Sequence, residues 1–153
     1  MGDQALIVAE GLTKRFSAAA APAIDGLTAR VWPARVTGLV GPDAAGKTTL
    51  LRVFAGLLLP SDGRLIVCGA DPRKELHVIR QQVSYMPQRF GLYEDLSVLQ
   101  NLNLFADLTY VTGQERDSAF ERLLAFTDLK RFTNRLAGKL SGGMKQNLAW
   151  PVP

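Results

Sequence analysis

Residues 41–48 read Gly-Pro-Asp-Ala-Ala-Gly-Lys-Thr and match the pattern G-x-x-x-x-G-K-[ST], which constrains the fold of this chain more than any other feature. Glycines in such a loop let the backbone bend until several N–H groups point inward, where they can hold phosphate groups. The pattern also requires a strand before the loop and a helix after it, since the positive end of that helix contributes to the same site. The segment therefore predicts a nucleotide-phosphate loop between a strand and a helix.

Individual residues of this loop have distinct expected roles. Lys47 is expected to reach the β and γ phosphates, and the hydroxyl of Thr48 is expected to ligate Mg²⁺. Ala44 stands where many loops of this kind carry glycine, and a positive φ there would cost an alanine roughly 1 kcal/mol, which would weaken phosphate binding. The residues predicted to contact the nucleotide in this loop are Gly41, Pro42, Asp43, Ala44, Ala45, Gly46, Lys47, Thr48 and Thr49.

The segments around the loop predict an α/β body over residues 1–91. The pattern of apolar and turn residues indicates five strands and one helix there. The strands are expected at 5–9, 24–31, 36–40, 64–68 and 82–86, and the helix at 47–59, where Pro60 would end it. The strand at 36–40 is apolar and β-branched, which is typical of a strand buried on both faces of a sheet.

After this body the pattern becomes helical. Ser97 with Gln100, and Thr112 with Glu115, form the capping-box pattern that marks the start of a helix. Apolar residues follow each box at helical spacing. We therefore predict a helical portion over 92–146.

Composition limits the partners and the compartment. Eighteen Lys and Arg against fourteen Asp and Glu give a net charge of +4, which suits an anionic ligand, and no group of five or more neighbouring basic residues indicates a nucleic-acid surface. The single cysteine, Cys68, lies in an apolar run and is expected to be a buried, unreactive thiol in a reducing compartment. No apolar run approaches the ~18 residues that span a bilayer, and no basic signal-peptide segment begins the chain, so we expect a cytoplasmic protein.

Three further segments resemble the ATP-binding cassette (ABC) ATPases. Residues 140–146, Leu-Ser-Gly-Gly-Met-Lys-Gln, resemble the signature sequence of that family, and we call them the signature segment. Gln88, in Tyr-Met-Pro-Gln, is similar to the family's Q-loop glutamine, and Phe16 stands where the family has its A-loop aromatic. Together with the phosphate loop, these features follow the family's order over residues 5–148. The resemblance implies an α/β fold: a P-loop NTPase (RecA-like) core with an antiparallel β region and a helical subdomain.

The same resemblance implies roles for these residues toward ATP and Mg²⁺. Phe16 would stack on adenine, and Gln88 would contact Mg²⁺ or position the attacking water. Ser141, Gly142 and Gly143 would face the γ-phosphate of an ATP held by a partner subunit. From the residues alone other readings stay open: Gln88 in a solvent-facing loop, Phe16 as a core side chain, and Ser141 as the N-cap of an ordinary helix.

Residues 86–104 resemble the ATP-binding subunits of drug-type exporters of the ABC-2 class, whose membrane part is a separate protein. This resemblance implies that Mg·ATP binding and hydrolysis are coupled to export through an integral membrane permease. It also implies a head-to-tail dimer with a second ABC ATPase subunit, held peripherally on the inner face of the cell membrane. Two alternatives are a catalytically inactive nucleotide-binding remnant and a soluble ABC protein that acts on ribosomes or in DNA repair. The latter would want a basic arm or an inserted domain, and the sequence shows neither.

The family's catalytic carboxylate has no counterpart in this sequence. In the family it follows the signature, on an apolar strand ending in Asp-Glu, with a histidine further on, whereas the seven residues after Gln146 contain no Asp, Glu or His. The resemblance therefore implies a cassette that is incomplete at its C-terminus, lacks a general base and is inactive in hydrolysis by itself. Residues 147–153 are expected to be an aberrant tail, read in a shifted frame of a longer gene. The strand at 36–40 would lack its family neighbour and present an aggregation-prone edge.

Overall fold

The computed structural model describes residues 4–17, 21–87 and 91–149. The chain forms two compact units, and the boundary between them falls between Tyr85 and Met86. We name them the loop unit, which ends at Tyr85, and the helical unit, which begins at Met86. Each unit has an apolar core of its own.

A three-stranded antiparallel sheet is the frame of the loop unit. Its strands are β1 (Ile7–Lys14), β2 (Ile24–Val31) and β3 (Asp62–Val67), and they lie in the order β2-β1-β3. The sequence prediction of these three strands is confirmed. β2 has the predicted bounds, whereas β1 continues well past Ala9, where its predicted strand ended.

Among residues 4–17 and 21–85 of the loop unit, two helices accompany the sheet, α1 (Lys47–Phe54) and α2 (Leu76–Gln82). The predicted helix after the phosphate loop is confirmed as α1, but it stops well before Pro60. Gly56 adopts a left-handed conformation with φ 68, which is the usual way for a glycine to end a helix. A Cβ at this position would also lie 2.8 Å from Cδ1 of Leu76, so the Leu76 side chain at the start of α2 would have to shift to admit one.

Two strands that the sequence predicts are not strands in this structure. Residues 36–40 belong to no sheet, and Val36 and Val40 are 103% and 94% exposed, where burial was expected. Residues 82–86 form no strand either, because Gln82 is the last residue of α2 and irregular backbone follows. A strand forms when its N–H and C=O groups find partners on a neighbouring strand, and no described residue pairs with either segment.

The core of the loop unit is formed jointly by the sheet and both helices. Its buried side chains are all aliphatic, as expected for a layer between a sheet and helices. They are Ala9, Leu12, Ile24, Leu50, Val53, Leu65, Val67, Ala70 and Ile79. Cys68 packs against this core but is only partly buried, which corrects the expectation of a fully buried thiol.

Among the described residues, the helical unit contains three helices and two short 3-10 turns. The helices are α3 (Val98–Leu108), α4 (Gly113–Phe126) and α5 (Gly142–Leu148). The 3-10 turns lie between α4 and α5, at Lys130–Phe132 and Ala137–Lys139. No described helix is both long enough and apolar enough to cross a membrane.

The two predicted capping boxes have different outcomes. At the start of α3, the hydroxyl of Ser97 accepts from the backbone N–H of Gln100 at 3.2 Å, and the Gln100 side chain accepts from the Ser97 N–H at 2.8 Å, so this box is confirmed. At the start of α4, Thr112 occupies the N-cap position, but its side chain makes no cap hydrogen bond, so the box with Glu115 is not formed. The helix nevertheless begins where the sequence places it.

The helical unit buries an apolar cluster drawn from all three helices and from the chain between α4 and α5. This cluster is what holds short helices in place, because a helix of seven to fourteen residues gains most of its stability from packing. Its buried members are Val98, Leu102, Ala106, Phe120, Leu123, Leu124, Leu129, Ala137, Leu140 and Leu148.

Candidate functional site

Gly46 connects the phosphate loop to α1. It is the N-cap residue of that helix, with φ 83 and ψ 3 in the left-handed region, and no side chain caps the helix there. A Cβ on Gly46 would collide with the backbone carbonyl oxygen of Ala23. Glycine is therefore required for two independent reasons, its conformation and the close approach of the chain that leads into β2.

Ala44 has a φ of 62, so the condition for strain stated from the sequence is met. A left-handed conformation places Cβ of an alanine close to the following carbonyl, which costs about 1 kcal/mol relative to glycine. The loop thus turns twice through left-handed backbone, once at Ala44 and once at Gly46. These turns bring the chain back toward the first residues of the loop.

The Lys47 side chain folds over the loop that precedes it. Its Nζ donates to the carbonyl oxygen of Gly41 at 2.8 Å and to that of Pro42 at 2.5 Å. Both acceptors are neutral, and hydrogen bonds from an ammonium group to an anionic oxygen are stronger than those to a neutral one. The ammonium group is thus held at the loop by contacts that a phosphate oxygen could replace or join.

The first backbone donors of α1 are left unused. Within the described residues, the N–H groups of Lys47, Thr48 and Thr49 donate to no acceptor, while the next one, Leu50, already bonds to the carbonyl of Gly46 at 2.9 Å. Unpaired N–H groups at the start of a helix, together with the helix dipole, favour an anion. Thr48 also exposes its side chain beside them.

A cavity of about 240 Å³ lies between the start of β2 and the start of α1. Most of its lining is apolar and includes Ile24 and Leu50 of the core, and the cavity also reaches Gly46 and Lys47 and opens to solvent beside the exposed Val40. The cavity is lined by Ala23, Ile24, Asp25, Leu27, Leu39, Val40, Ala45, Gly46, Lys47 and Leu50.

Phe16 follows β1 and is 42% exposed. The Nζ of Lys14 lies 5.3 Å from the centroid of its ring and also donates to the carbonyl of Leu59 at 2.8 Å. The ring therefore does not belong to the buried core, which argues against the alternative of a core side chain. The Lys14 ammonium group lies over the ring, and the residue as a whole is partly exposed.

The signature segment forms the start of α5, as its residues suggest. Ser141 is the N-cap, and its Oγ accepts from the backbone N–H of Met144 at 3.3 Å. Gly142 and Gly143 are exposed, and a Cβ on either would meet no atom within 4 Å. Because these two glycines carry no side chains, the backbone at this turn is accessible. Gln88, the other predicted contact to nucleotide and metal, lies outside the described residues.

One buried polar residue, Asn101, has no counterpart among the residues that the sequence singled out. Asn101 is completely buried on α3, between Val98 and Leu102 on the apolar face of that helix. Buried amides are normally fully hydrogen-bonded, and this one makes four hydrogen bonds to the loop before α3. An asparagine on an otherwise apolar helix face was the available signal.

Comparison with known proteins accords with this geometry. The sequence profile of the ABC transporter family matches residues 24–150 of the 153. The chain belongs to the ABC transporter family. It is 56% identical over 146 residues to the Probable multidrug ABC transporter ATP-binding protein YbhF of Escherichia coli (strain K12), covering 95% of this chain and 25% of that protein. It is 36% identical over 148 residues to the daunorubicin resistance ATP-binding protein DrrA3 of Streptomyces coeruleorubidus, covering 97% and 46% respectively. This ABC-family chain thus spans less than half the length of either relative.

Solved structures place the same chain among ABC cassettes. The dimeric structure of the ATP-binding cassette MJ0796, in a post-hydrolysis state with ADP and Pi, superposes with a TM-score of 0.78 at 25% identity, over 94% of this chain and 66% of that one. CbiO1 from Clostridium perfringens, part of a cbiONQ transporter complex, superposes with a TM-score of 0.81 at 24% identity, over 96% and 60%, and shows the fold alone. The predicted P-loop NTPase fold class is confirmed, and proteins of this family are ATPases.

Proposed function

We propose that this chain is part of the ATP-binding subunit of an ABC exporter and that it binds Mg·ATP at residues 41–49. The observation that carries the proposal is the start of α1, where three N–H groups without an acceptor among the described residues follow a loop over which the Lys47 ammonium group folds. Donors of this kind, already in place before the ligand arrives, favour an anion with several oxygens. The names of the relatives support export of drug-like compounds as the transported class.

In the bound state Lys47 would turn from the carbonyls of Gly41 and Pro42 toward the β and γ phosphates. The backbone of Asp43, Ala44, Ala45 and Gly46 would curve around the phosphate chain. Lys47 is then the residue whose loss removes the most binding, because it supplies the only side-chain cation of this loop. No large movement is required, since the lysine already lies against the loop.

The proposed contacts to Mg²⁺ lie at the phosphate end of the nucleotide, and the proposed contact to adenine lies at the other end. Mg²⁺ characteristically uses one or two protein ligands together with substrate phosphates, and the exposed Thr48 hydroxyl beside the free amides suits that role. Gln88 is the second proposed contact to Mg²⁺ or to the attacking water, on the strength of the family resemblance. Phe16, with its exposed ring, is the proposed platform for adenine.

The remaining parts of the proposal concern partners. Ser141, Gly142 and Gly143 would contact the γ-phosphate of an ATP held by a second ABC ATPase subunit in a head-to-tail dimer. Integral membrane permease subunits would hold the pair at the inner face of the membrane. Family resemblance supports both partners, and the MJ0796 cassette is itself described as a dimer. No residue of this chain is assigned as general base, so we expect residues 1–153 to bind nucleotide without turnover.

The proposal is tested by titrating residues 1–153 with a fluorescent ATP analogue in the presence of Mg²⁺. Lys47→Ala is expected to weaken binding about tenfold or more, because the neutral side chain cannot form charge-assisted bonds to phosphate. Lys74→Ala is the matched control, since this lysine is exposed and remote in sequence from the loop. Equal affinities of wild type and Lys47→Ala would refute the proposed site. Phosphate release above background that depends on Lys47 would refute binding without turnover.

A further inference from the structure

The loop over residues 93–97, which we call the 93–97 loop, is held by one buried amide. The Nδ2 group of Asn101 donates to the carbonyls of Tyr93 at 3.0 Å, Leu96 at 3.2 Å and Ser97 at 3.0 Å. Its Oδ1 accepts from the backbone N–H of Tyr93 at 2.9 Å. Three carbonyls and one N–H of a short loop therefore converge on a side chain that has no exposed surface.

The 93–97 loop in turn holds the chain that enters the signature segment. The backbone N–H of Ala137 donates to Leu96 O at 2.8 Å, and that of Gly138 donates to Glu94 O at 2.9 Å. A Cβ at Gly138 would lie 3.1 Å from the Glu94 carbonyl oxygen and 3.3 Å from its Cβ, so the glycine permits this close approach. The position of the chain before Ser141 is thus set by backbone bonds to the loop.

The 93–97 loop also contacts the signature segment on the C-terminal side of Gly143. Lys145 Nζ donates to Glu94 Oε1 at 2.7 Å. The lysine side chain is mostly buried at 21% exposure, whereas the glutamate is 66% exposed. Glu94 is therefore joined to the chain on both sides of Ser141–Gly143, through its carbonyl to Gly138 and through its carboxylate to Lys145.

We infer that Asn101 and Glu94 are positioning residues that fix where Ser141–Gly143 lies, through the 93–97 loop. Asn101 determines the shape of the loop, and Glu94 transmits that shape to both ends of the turn. The Glu94–Lys145 ion pair is largely exposed on one side, so its effect on overall stability is small and its effect is chiefly on geometry. The inference rests on the proposed function, in which Ser141–Gly143 contact a nucleotide across a dimer.

Glu94→Gln tests the inference without disturbing the fold. It removes the charge while leaving the backbone carbonyl that Gly138 uses. We expect amide hydrogen exchange at Met144 and Lys145, measured by NMR on residues 1–153 without nucleotide, to become about threefold faster as the start of α5 loosens. Asp95→Asn is the matched control, because it makes the same charge change next door at an exposed residue with no ion pair among the described residues. It is expected to leave exchange unchanged.

A charge swap separates a specific contact from general loosening. The double variant Glu94→Lys with Lys145→Glu is expected to restore exchange at Met144 toward the wild-type rate, whereas each single reversal raises it. Asn101→Ala is expected to accelerate exchange at Ala137 and Gly138 as well, because the 93–97 loop that accepts their hydrogen bonds loses its own hydrogen bonds to the Asn101 side chain. If Asn101→Ala does not fold, Glu94→Gln and the swap still decide the question. Wild-type exchange rates in Glu94→Gln, or a swap without recovery, would overturn the inference.

The functional consequence is a split between two affinities. Glu94→Gln is expected to leave the affinity for the ATP analogue at the phosphate loop unchanged. It is expected to weaken nucleotide-dependent dimerisation about threefold or more, as measured by sedimentation velocity. Equal weakening of both affinities would indicate a general structural defect and would contradict a positioning role. If the wild-type protein shows no Lys47-dependent binding of the ATP analogue, the proposed function is overturned. The hydrogen-exchange experiment needs no nucleotide and would still decide the positioning role.

Discussion

The starts of α1 and α5 are both built around glycine and a hydroxyl residue, yet they manage their backbone donors differently. α1 begins at a left-handed glycine, Gly46, without a side-chain cap, and its first three N–H groups are free among the described residues. α5 begins at Ser141 in an extended conformation, and the serine hydroxyl accepts from Met144 N. Within the described residues, the start of α1 leaves its first donors without acceptors. The start of α5 uses a donor to stabilise itself.

Among the variants that test this contrast, Gly46→Ala has the largest expected effect. The added Cβ would collide with the Ala23 carbonyl and would occupy left-handed backbone, so we expect a loss of about 3 kcal/mol in the free energy of unfolding. Urea denaturation followed by circular dichroism measures it. Gly143→Ala is the matched control at the other helix, where the Cβ meets nothing within 4 Å. There a small gain is expected from the better helix propensity of alanine. Equal losses in the two variants would remove the distinction between the two helix starts.

Ser141→Ala should have an intermediate effect. It removes the acceptor of the Met144 N–H, and loss of an N-cap hydroxyl typically costs about 1 kcal/mol. The shift of the urea midpoint reports the cost. Ser141→Thr keeps a hydroxyl and should recover most of it. A midpoint that does not move in Ser141→Ala would mean that this cap contributes nothing to the helix.

The smallest expected effect is a gain from Ala44→Gly. Relief of the left-handed conformation at φ 62 favours glycine by about 1 kcal/mol, and part of this is offset by the greater freedom of glycine in the unfolded chain. Ala45→Gly is the control, because Ala45 is not among the residues with positive φ, so only the unfavourable term remains. Ala44→Gly should also bind the ATP analogue no more weakly than wild type. A loss of stability in Ala44→Gly would contradict strain at this position.

Much of this architecture follows from local patterns. The helix α1, the three strands of the sheet and the caps at Ser97 and Ser141 are confirmed, and the residues that favour each of them lie close together in the chain. The signature and phosphate-loop residues were also sufficient to predict the family. Propensity and capping are local effects, so a single sequence can reveal them.

Most of the wrong predictions depend on partners distant in sequence, and the unformed capping box of Thr112 with Glu115 is the local exception. Residues 36–40 have the composition of a buried strand, but no described strand pairs with them. The end of α1 was placed at Pro60, whereas Gly56 ends the helix where α2 packs closely against it. Apolar composition states what a segment could bury, and only the neighbouring chain decides whether it does.

What the sequence determined by itself was the family of the chain and the starts of α1, α3, α4 and α5, because the motifs and helix caps that indicate them are defined by residue type within a few positions. Only the tertiary structure showed that Gly46 is required by the approach of Ala23, that Asn101 organises the 93–97 loop, and that Glu94 joins this loop to Lys145. These contacts join residues far apart in the chain. Their distances depend on how the elements pack, and no spacing along the sequence encodes them.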